Sequence, residues 1–462
     1  MSAGAMPSAR ATYRVQLRSG VDFAVVEAAL PYLAALGISH VYLSPIWRAA
    51  PGSTHGYDVV DPNTIEPELG GEAGYRHLAD AASELGLGLV LDHVPNHMGV
   101  SAENAWWWDV LAKGPASGFA RHFDIDWDAI AGATPGRVLL PVLGQPYGDC
   151  LAAGQLEVEA TDDAFELRYF DQRFPLTVEA LPDSTEALHQ LLERQPYRLA
   201  HWRLGKEALN YRRFFDIDGL IGVRVEDPAV FDDCHRRLLE LVGEGRVQGV
   251  RLDHIDGLAD PTAYLARLDE ALAEASGEHA KPPVWVEKIL EGDEQLRPDW
   301  PIAGTTGYEV TDRLNRLFVA PSGAPILDAL WRAIAGHRAD LDGMLAAAKT
   351  TILGGSFAGE LTRLRLDAMQ LAAGDLRYRD LGADSLERAL AAMIEAFPVY
   401  RTYLDDAPAT AADRTLMAAV MAQANAAAGL EDDLAFRFLG DLLDRAASDP
   451  EALGFATRLQ QL

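Results

Sequence analysis

At 462 residues, with 69 acidic against 40 basic side chains, the chain carries a formal net charge of −29 at pH 7. That balance argues against nucleic acid and against an anionic membrane surface, both of which demand clustered Lys and Arg, and leaves a neutral ligand open. A hydrophobic content of 49% is that of a soluble globular protein, and the length predicts two or more structural units.

The first two strands are predicted at Tyr13–Leu17 and His40–Pro45, short runs rich in β-branched and aromatic residues. Between them Phe23–Leu36 has apolar residues at helical spacing and stops at Gly37. A helix over Gly74–Leu85 leads through Gly86 into a third strand at Gly88, and strand alternating with helix is the pattern of a parallel sheet. From Met98 to Phe215 the alternation breaks, in a Trp-, Gly- and Pro-rich stretch too long for a loop. It resumes with strands at Val250 and Val284, separated by a helix over Thr262–Ala275, and a sixth strand over Pro301–Gly304. After Pro321 the chain reads as helical, with Leu386, Leu390, Met393, Ile394 and Phe397 at helical spacing and Asp384 with Glu387 resembling a capping pair. The expected parts are residues 1–97 (strands 1–3), 98–215 (an inserted aromatic-rich subdomain), 216–321 (strands 4–6) and 322–462 (a helical subdomain). Cys150 and Cys234 form neither a metal-like cluster nor a disulfide framework. No apolar leader core or spanning stretch occurs, so the expected location is the cytoplasm.

Two segments carry the chemistry. Gly249-Val-Arg-Leu-Asp-His-Ile-Asp256 and Val284-Trp-Val-Glu-Lys-Ile289 are apolar runs that each deliver one carboxylate, Asp253 and Glu287, where a buried strand ends. In a parallel βα barrel that end is the catalytic face. Two carboxylates there fit glycosidic bond chemistry, one attacking the anomeric carbon and one donating to the leaving oxygen, at a separation of about 5 Å if configuration is retained. Asp253 is read as nucleophile and Glu287 as acid/base. Arg251, two residues before Asp253 on the same strand face, is expected to hold it ionised. Trp285 is expected to provide an apolar wall that keeps Glu287 protonated.

Gly88-Leu-Val-Leu-Asp-His-Val-Pro-Asn-His97 has the same strand-end form. These three motifs, with His55-Gly56-Tyr57-Asp58, resemble the α-amylase superfamily of retaining α-glucoside enzymes. Ala105-Trp-Trp-Trp-Asp-Val-Leu111, Phe123-Asp-Ile-Asp-Trp127, Tyr211-Arg-Arg-Phe-Phe215 and Ala303-Gly-Thr-Thr-Gly-Tyr308 are similar to one of its subfamilies, the maltooligosyltrehalose synthases. The likeness runs from Thr12 to the last residue.

The resemblance implies an α/β fold, a (β/α)8 TIM-type barrel incomplete in this chain. It implies that Asp92 is a hydrogen-bonding residue at the barrel end, that Asn96 and His97 contact the sugar at the cleavage point, that Tyr57 stacks on it with Asp58 nearby, and that His254 faces the leaving group. Trp106, Trp107, Trp108, Phe214 and Phe215 read as core more than as ligand platforms. Asp124, Asp126 and Asp128 alternate like oxygen ligands but lack the glycine and distal glutamate of a calcium loop, so no metal and no cofactor is expected.

The implied reaction is intramolecular transglycosylation at the reducing end of a maltooligosaccharide, making an α,α-1,1 terminus. An α-amylase-type hydrolase and a non-catalytic glucan-binding protein remain alternatives. Only six candidate strands are present where the barrel needs eight. Strands 7 and 8, a third catalytic aspartate and a C-terminal β-domain are therefore expected on a complementary C-terminal polypeptide.

Overall fold

The structure, a computed structural model, describes residues 9–128, 135–161, 164–178, 181–336 and 340–462. The chain divides into two compact units, residues 1–287 with 299–304, and residues 288–298 with 305–462.

In the first unit β1 (Thr12–Val15), β2 (His40–Leu43), β3 (Gly88–His93), β4 (Gly249–Leu252), β5 (Val284–Val286) and β6 (Gly304–Thr305) form one sheet whose spatial order is the chain order. Every pair from β1 to β5 is parallel. This is the curled half of an α-amylase-type barrel. β3 and β4 are buried along their whole length, as strands covered on both faces are, which is why Gly88–Leu91 and Gly249–Leu252 read as nearly unbroken apolar runs.

The helices α1 (Phe23–Ala35), α2 (Gly71–Glu84), α3 (Pro228–Gly243) and α4 (Pro261–Ser276) alternate with these strands. Three of them start on an aspartate whose side chain accepts a backbone N–H of the first turn: Asp22 from Val25, Asp227 from Ala229 and Asp260 from Ala263. In α3 and α4 a proline follows, where its missing N–H costs nothing. The predicted helices over Phe23–Leu36 and Thr262–Ala275 stand nearly where expected, whereas the sixth strand lies at the end of its predicted range, at Gly304–Thr305.

An antiparallel ribbon, Trp47–Ala49 against Val59–Ile65, interrupts the path from β2 to α2. After β3 the strand His97–Gly99 pairs antiparallel with Ile217–Gly222, which pairs in turn with Arg213–Phe214. Between them lie the helix Ala105–Lys113, a two-stranded sheet of Val138–Leu143 with Tyr197–His201, and a three-stranded sheet of Glu157–Ala160, Phe165–Tyr169 and Gln172–Leu176.

The second unit is helical. Eight α-helices among the described residues run from Tyr308–Leu317 to Pro450–Gln461. Its core gathers Leu386, Leu390 and Met393 from the helix Ala383–Ala396 with Phe438, Leu439 and Leu442 from Leu434–Asp444. The expected capping pair does not form. Gly382 is the cap residue and no side chain bonds there. Asp384 sits within the first turn, where its charge complements the helix dipole, and Glu387 is bound to Arg365 at 2.9 Å.

Because Leu390 is wholly buried, Leu390→Ala should remove about 2–5 kcal/mol from the second unit. Urea unfolding followed by far-ultraviolet circular dichroism would show the matching fall in midpoint.

Candidate active site

Arg251 sits on β4, directly across from Asp92 on β3 and Trp285 on β5. One of its terminal nitrogens, Nη1, lies 2.7 Å from Asp92 Oδ1 and 2.7 Å from Asp253 Oδ1; the other, Nη2, lies 3.1 Å from Glu287 Oε1. Three strand ends therefore converge on one guanidinium. Asp92 is fully buried, and its second oxygen accepts from the hydroxyls of Tyr42 at 2.8 Å and Tyr57 at 2.7 Å. Glu287 Oε2 accepts the backbone N–H of His254 at 2.9 Å. That N–H is aimed at Glu287 while His254 adopts the left-handed conformation, φ 45°, which histidine tolerates better than most residues.

Above the cluster opens a cleft of about 600 Å³. Of the site residues named from the sequence, Tyr57, Asp58, His97, Arg251, Asp253 and Glu287 line it. Asp92, Asn96 and His254 do not. Asn96 is buried and accepts from Arg212 Nη1 at 2.7 Å, while Arg212 Nε pairs with Asp124 at 2.9 Å. Arg212 reaches Asn96 by lying against Gly222, where a Cβ would come within 2.5 Å of the guanidinium. Asn96 thus ties the insert to the end of β3 rather than presenting its amide to the cleft. The ring of His254 packs on Phe214 and Phe215, with centroids 4.8 and 5.1 Å away.

Five lining residues were not predicted as site residues: His55, Phe214, Ile217, Gly219 and Leu220. Phe214 stacks obliquely on His97, centroids 4.4 Å apart, and so forms cleft wall where the sequence had favoured core. Trp107 by contrast is core, edge-on to Phe123 and Tyr211. Tyr57 and Asp58 come from the tip of the antiparallel ribbon. Gly56 is required there, with φ 84° and no room for a Cβ, which would fall 2.0 Å from the guanidinium of buried Arg18; that guanidinium donates to the carbonyls of Pro45 and Trp47. Asp58 accepts from Ser53 and so orders this tip.

Electrostatics depart from expectation at Asp253. Burial is the largest influence and pushes its carboxyl up from 3.8 to about 8, with Arg251 pulling the other way and the neighbouring carboxylates of Asp92 and Glu287 adding to the rise. Arg251 alone does not decide the ionisation, because it is shared among three acids. Asp92 is raised for the same reason, burial first. Nor is Glu287 set against the apolar wall expected from Trp285, whose ring leans over Gly249; the carboxylate oxygens meet Arg251 and a backbone N–H instead. Burial lowers His97 to about 3, so its imidazole is neutral at any physiological pH, and its Nε2 has no hydrogen-bond partner among the described residues.

In the Asp124–Asp128 stretch Asp124 is occupied by Arg212, and Asp126 accepts the N–H of Asp128 at 3.2 Å. No group of three or more metal-ligating side chains occurs among the described residues.

Two stability predictions follow from the cluster. Arg251→Ala leaves three acids around a buried vacancy and should cost about 3–5 kcal/mol, read as a lower thermal midpoint. For Asp253 the folded carboxyl holds its proton more tightly than the unfolded one, so its favourable contribution is complete below the unfolded value of 3.8 and is lost as pH rises towards about 8. Asp253→Asn, neutral throughout, should therefore gain thermal stability relative to the parent between pH 5 and pH 9. An unchanged difference in midpoint across that range would contradict the assigned direction.

The α-amylase catalytic-domain family model matches residues 18–135. A Mycobacterium tuberculosis protein provisionally named maltooligosyl trehalose synthase is 43% identical over 373 residues, 79% of this chain and 46% of that protein. The solved maltooligosyltrehalose synthase of Arthrobacter ramosus superposes with a TM-score of 0.82 at 38% identity, over 98% of this chain and 54% of that one. A Sulfolobus tokodaii structure described as a hypothetical maltooligosyl trehalose synthase gives 0.75 at 31% identity, over 98% and 53%. By sequence and by fold the chain is thus a relative of the maltooligosyltrehalose synthases in the α-amylase superfamily, and it spans about half the length of the relatives it matches.

Proposed function

We propose that this chain carries the nucleophile and the acid/base of an intramolecular transglycosylase acting on the reducing end of α-1,4-glucan oligosaccharides. The observation that carries the reading is the bridging of Asp253 and Glu287 by a single guanidinium at the floor of a cleft. Retaining double displacement calls for carboxyls about 5 Å apart, and sharing one guanidinium keeps these two close to each other. Asp253 attacks the anomeric carbon of the penultimate glucose while Glu287 protonates the bond oxygen. The released glucose stays bound, turns, and re-attacks through its anomeric hydroxyl with Glu287 as base, giving an α,α-1,1 terminus. Retention results from the two inversions.

Asp253 must shed its proton to attack. A substrate that displaces water while leaving Arg251 in place, and that brings the electrophilic carbon to the carboxyl, favours the ionised form. His97, neutral and with an unpartnered Nε2, is suited to a sugar hydroxyl, and Tyr57 with Phe214 offers apolar ring surface to a pyranose. Water at ~55 M competes for the intermediate. A tethered glucose can outcompete it, since effective molarities of about 10⁵ M or more are reachable.

Turnover in this reading needs two further barrel strands and a third carboxylate beyond the six strands described. Support comes from the six-stranded sheet, short of the eight that close such a barrel. It comes also from the helices Tyr308–Leu317 and Ala324–Ala335, which bury no residue and expose Leu317, Phe318 and Ile334 at 74% or more. Such apolar faces mark an interaction surface. A cytoplasmic setting is in keeping with two free thiols, Cys150 and Cys234, both buried.

The test is product analysis with maltopentaose on an enzyme with the full eight-stranded barrel that contains this chain. Loss of reducing ends without chain shortening is expected; a steady rise in reducing ends would indicate the amylase-type hydrolase instead. Asp253→Asn and Glu287→Gln should each lower turnover at least about 10³-fold, and azide with Asp253→Gly should yield a β-glycosyl azide. Turnover by residues 1–462 alone at a full rate would remove the need for further strands.

A further inference from the structure

β4 and β5 run as a regular parallel ladder until the site is reached. The N–H of Val250 donates to the carbonyl of Pro283 at 3.0 Å and that of Glu287 to the carbonyl of Leu252 at 2.9 Å, with Leu252 opposite Val286 in the register. The next step of such a ladder would carry the N–H of His254 to the backbone carbonyl of Glu287. It goes instead to the side chain, reaching Glu287 Oε2 at 2.9 Å. Here the chain leaves the strand, because His254 takes φ 45° and ψ 54° and Ile255–Gly257 follows as a short 3₁₀ helix.

A left-handed residue that carries a side chain persists only where its surroundings over-determine it. At His254 the surroundings can be named. Its ring centroid lies 4.8 Å from that of Phe214 and 5.1 Å from that of Phe215, the last two residues of the insert, and Phe215 is itself left-handed at φ 50°. The ring also lies against Gly257, where a Cβ would fall 2.6 Å from the imidazole Cδ2 and 2.5 Å from Asn96 Oδ1, so glycine is needed for both side chains to sit there. Ring and backbone of His254 thus meet different partners. The ring is held by the insert, and the N–H that the held backbone presents meets Glu287, whose other oxygen lies 3.1 Å from Arg251 Nη2.

We infer that His254 is a positioning residue that acts through its backbone: its left-handed conformation, fixed by Phe214 and Phe215, aims the peptide N–H at Glu287 and so orients that carboxyl for proton donation. The inference rests on Glu287 being the acid/base. It makes proton transfer depend on the insert by way of His254, and it makes the backbone conformation at this position, more than the imidazole itself, the property that catalysis requires.

The test compares two donors on an enzyme with the full eight-stranded barrel that contains this chain. Maltopentaose needs a proton on its departing oxygen, whereas α-maltosyl fluoride, displaced by Asp253 with the C–F electron pair leaving on fluoride ion, needs none. His254→Val puts a β-branched residue where φ is positive. It should slow maltopentaose turnover about 10²-fold, the scale of a general acid's contribution, and release of the first equivalent of fluoride by no more than about threefold. His254→Asn and His254→Gly, which accept the left-handed region, should turn over maltopentaose at least about tenfold faster than His254→Val. Phe215→Ala, which does not line the cleft, should show the same selectivity at smaller size, and it carries the test if His254→Val does not fold. Equal slowing of both donors by a variant that circular dichroism shows to be folded, slowing of neither, or Asn and Gly variants as slow as Val would overturn the proposal. Glu287→Gln separates it from the reading it rests on. Loss with maltopentaose and retention with the fluoride keep Glu287 as the acid whatever His254 does; equal loss with both would remove that assignment and this one together.

Discussion

The guanidinium of Arg251 binds acids delivered by three neighbouring strands, Asp92 at the end of β3, Asp253 just beyond β4 and Glu287 just beyond β5. The geometry is available only in one register. Arg251 stands opposite Asp92, and a slip by one residue would turn the whole inward set of β4 to the other face. Strand pairing and site assembly are therefore one constraint. One cation is shared by three acids, and burial raises the carboxyls of both Asp92 and Asp253 against the pull of Arg251. An expectation built on the arginine alone had the sign reversed, because it counted the charge and omitted its sharing and the desolvation.

The rest of the first unit can be understood as support for this cluster. Tyr42 and Tyr57 donate to the far oxygen of Asp92 and so fix it from β2 and from the ribbon tip. Arg18 props the ribbon under Gly56, which sets Tyr57 in place. On the opposite side Arg212 joins Asn96 to Asp124 and so secures the insert to the strand end that carries His97. Buried polar groups of this kind are stabilising only when every partner is present, which explains why so many of the polar side chains near the floor are tied to one another.

Most strands of the barrel half were legible because buried parallel strands leave an apolar run with a carboxylate at its end, and the helices between them because apolar residues recur at helical spacing and stop at Gly37 or Gly86. Other elements left weaker traces. The ribbon Trp47–Ala49 with Val59–Ile65 is interrupted by register shifts and contains Pro62, so no alternation survives. The helix Pro228–Gly243 was overlooked although Asp227-Pro228 is a strong start signal. Asp384 looked like a cap by its spacing to Glu387, but the cap residue lies earlier, at Gly382, and the helix begins at Ala383. Asn96 and Phe214 exchanged places relative to expectation for one reason: whether a side chain faces the cleft or the layer behind it depends on the insert, whose packing across more than a hundred residues has no local signature.

The net charge of −29 belongs to the chain as a whole, yet in the cleft Asp253 and Glu287 meet Arg251 and burial holds His97 neutral. What the cleft presents is ring surface, an imidazole nitrogen without a partner among the described residues, and carboxyls that share one guanidinium. The surface acidity keeps chains apart in solution, whereas at the floor of the cleft three acids are gathered on one arginine.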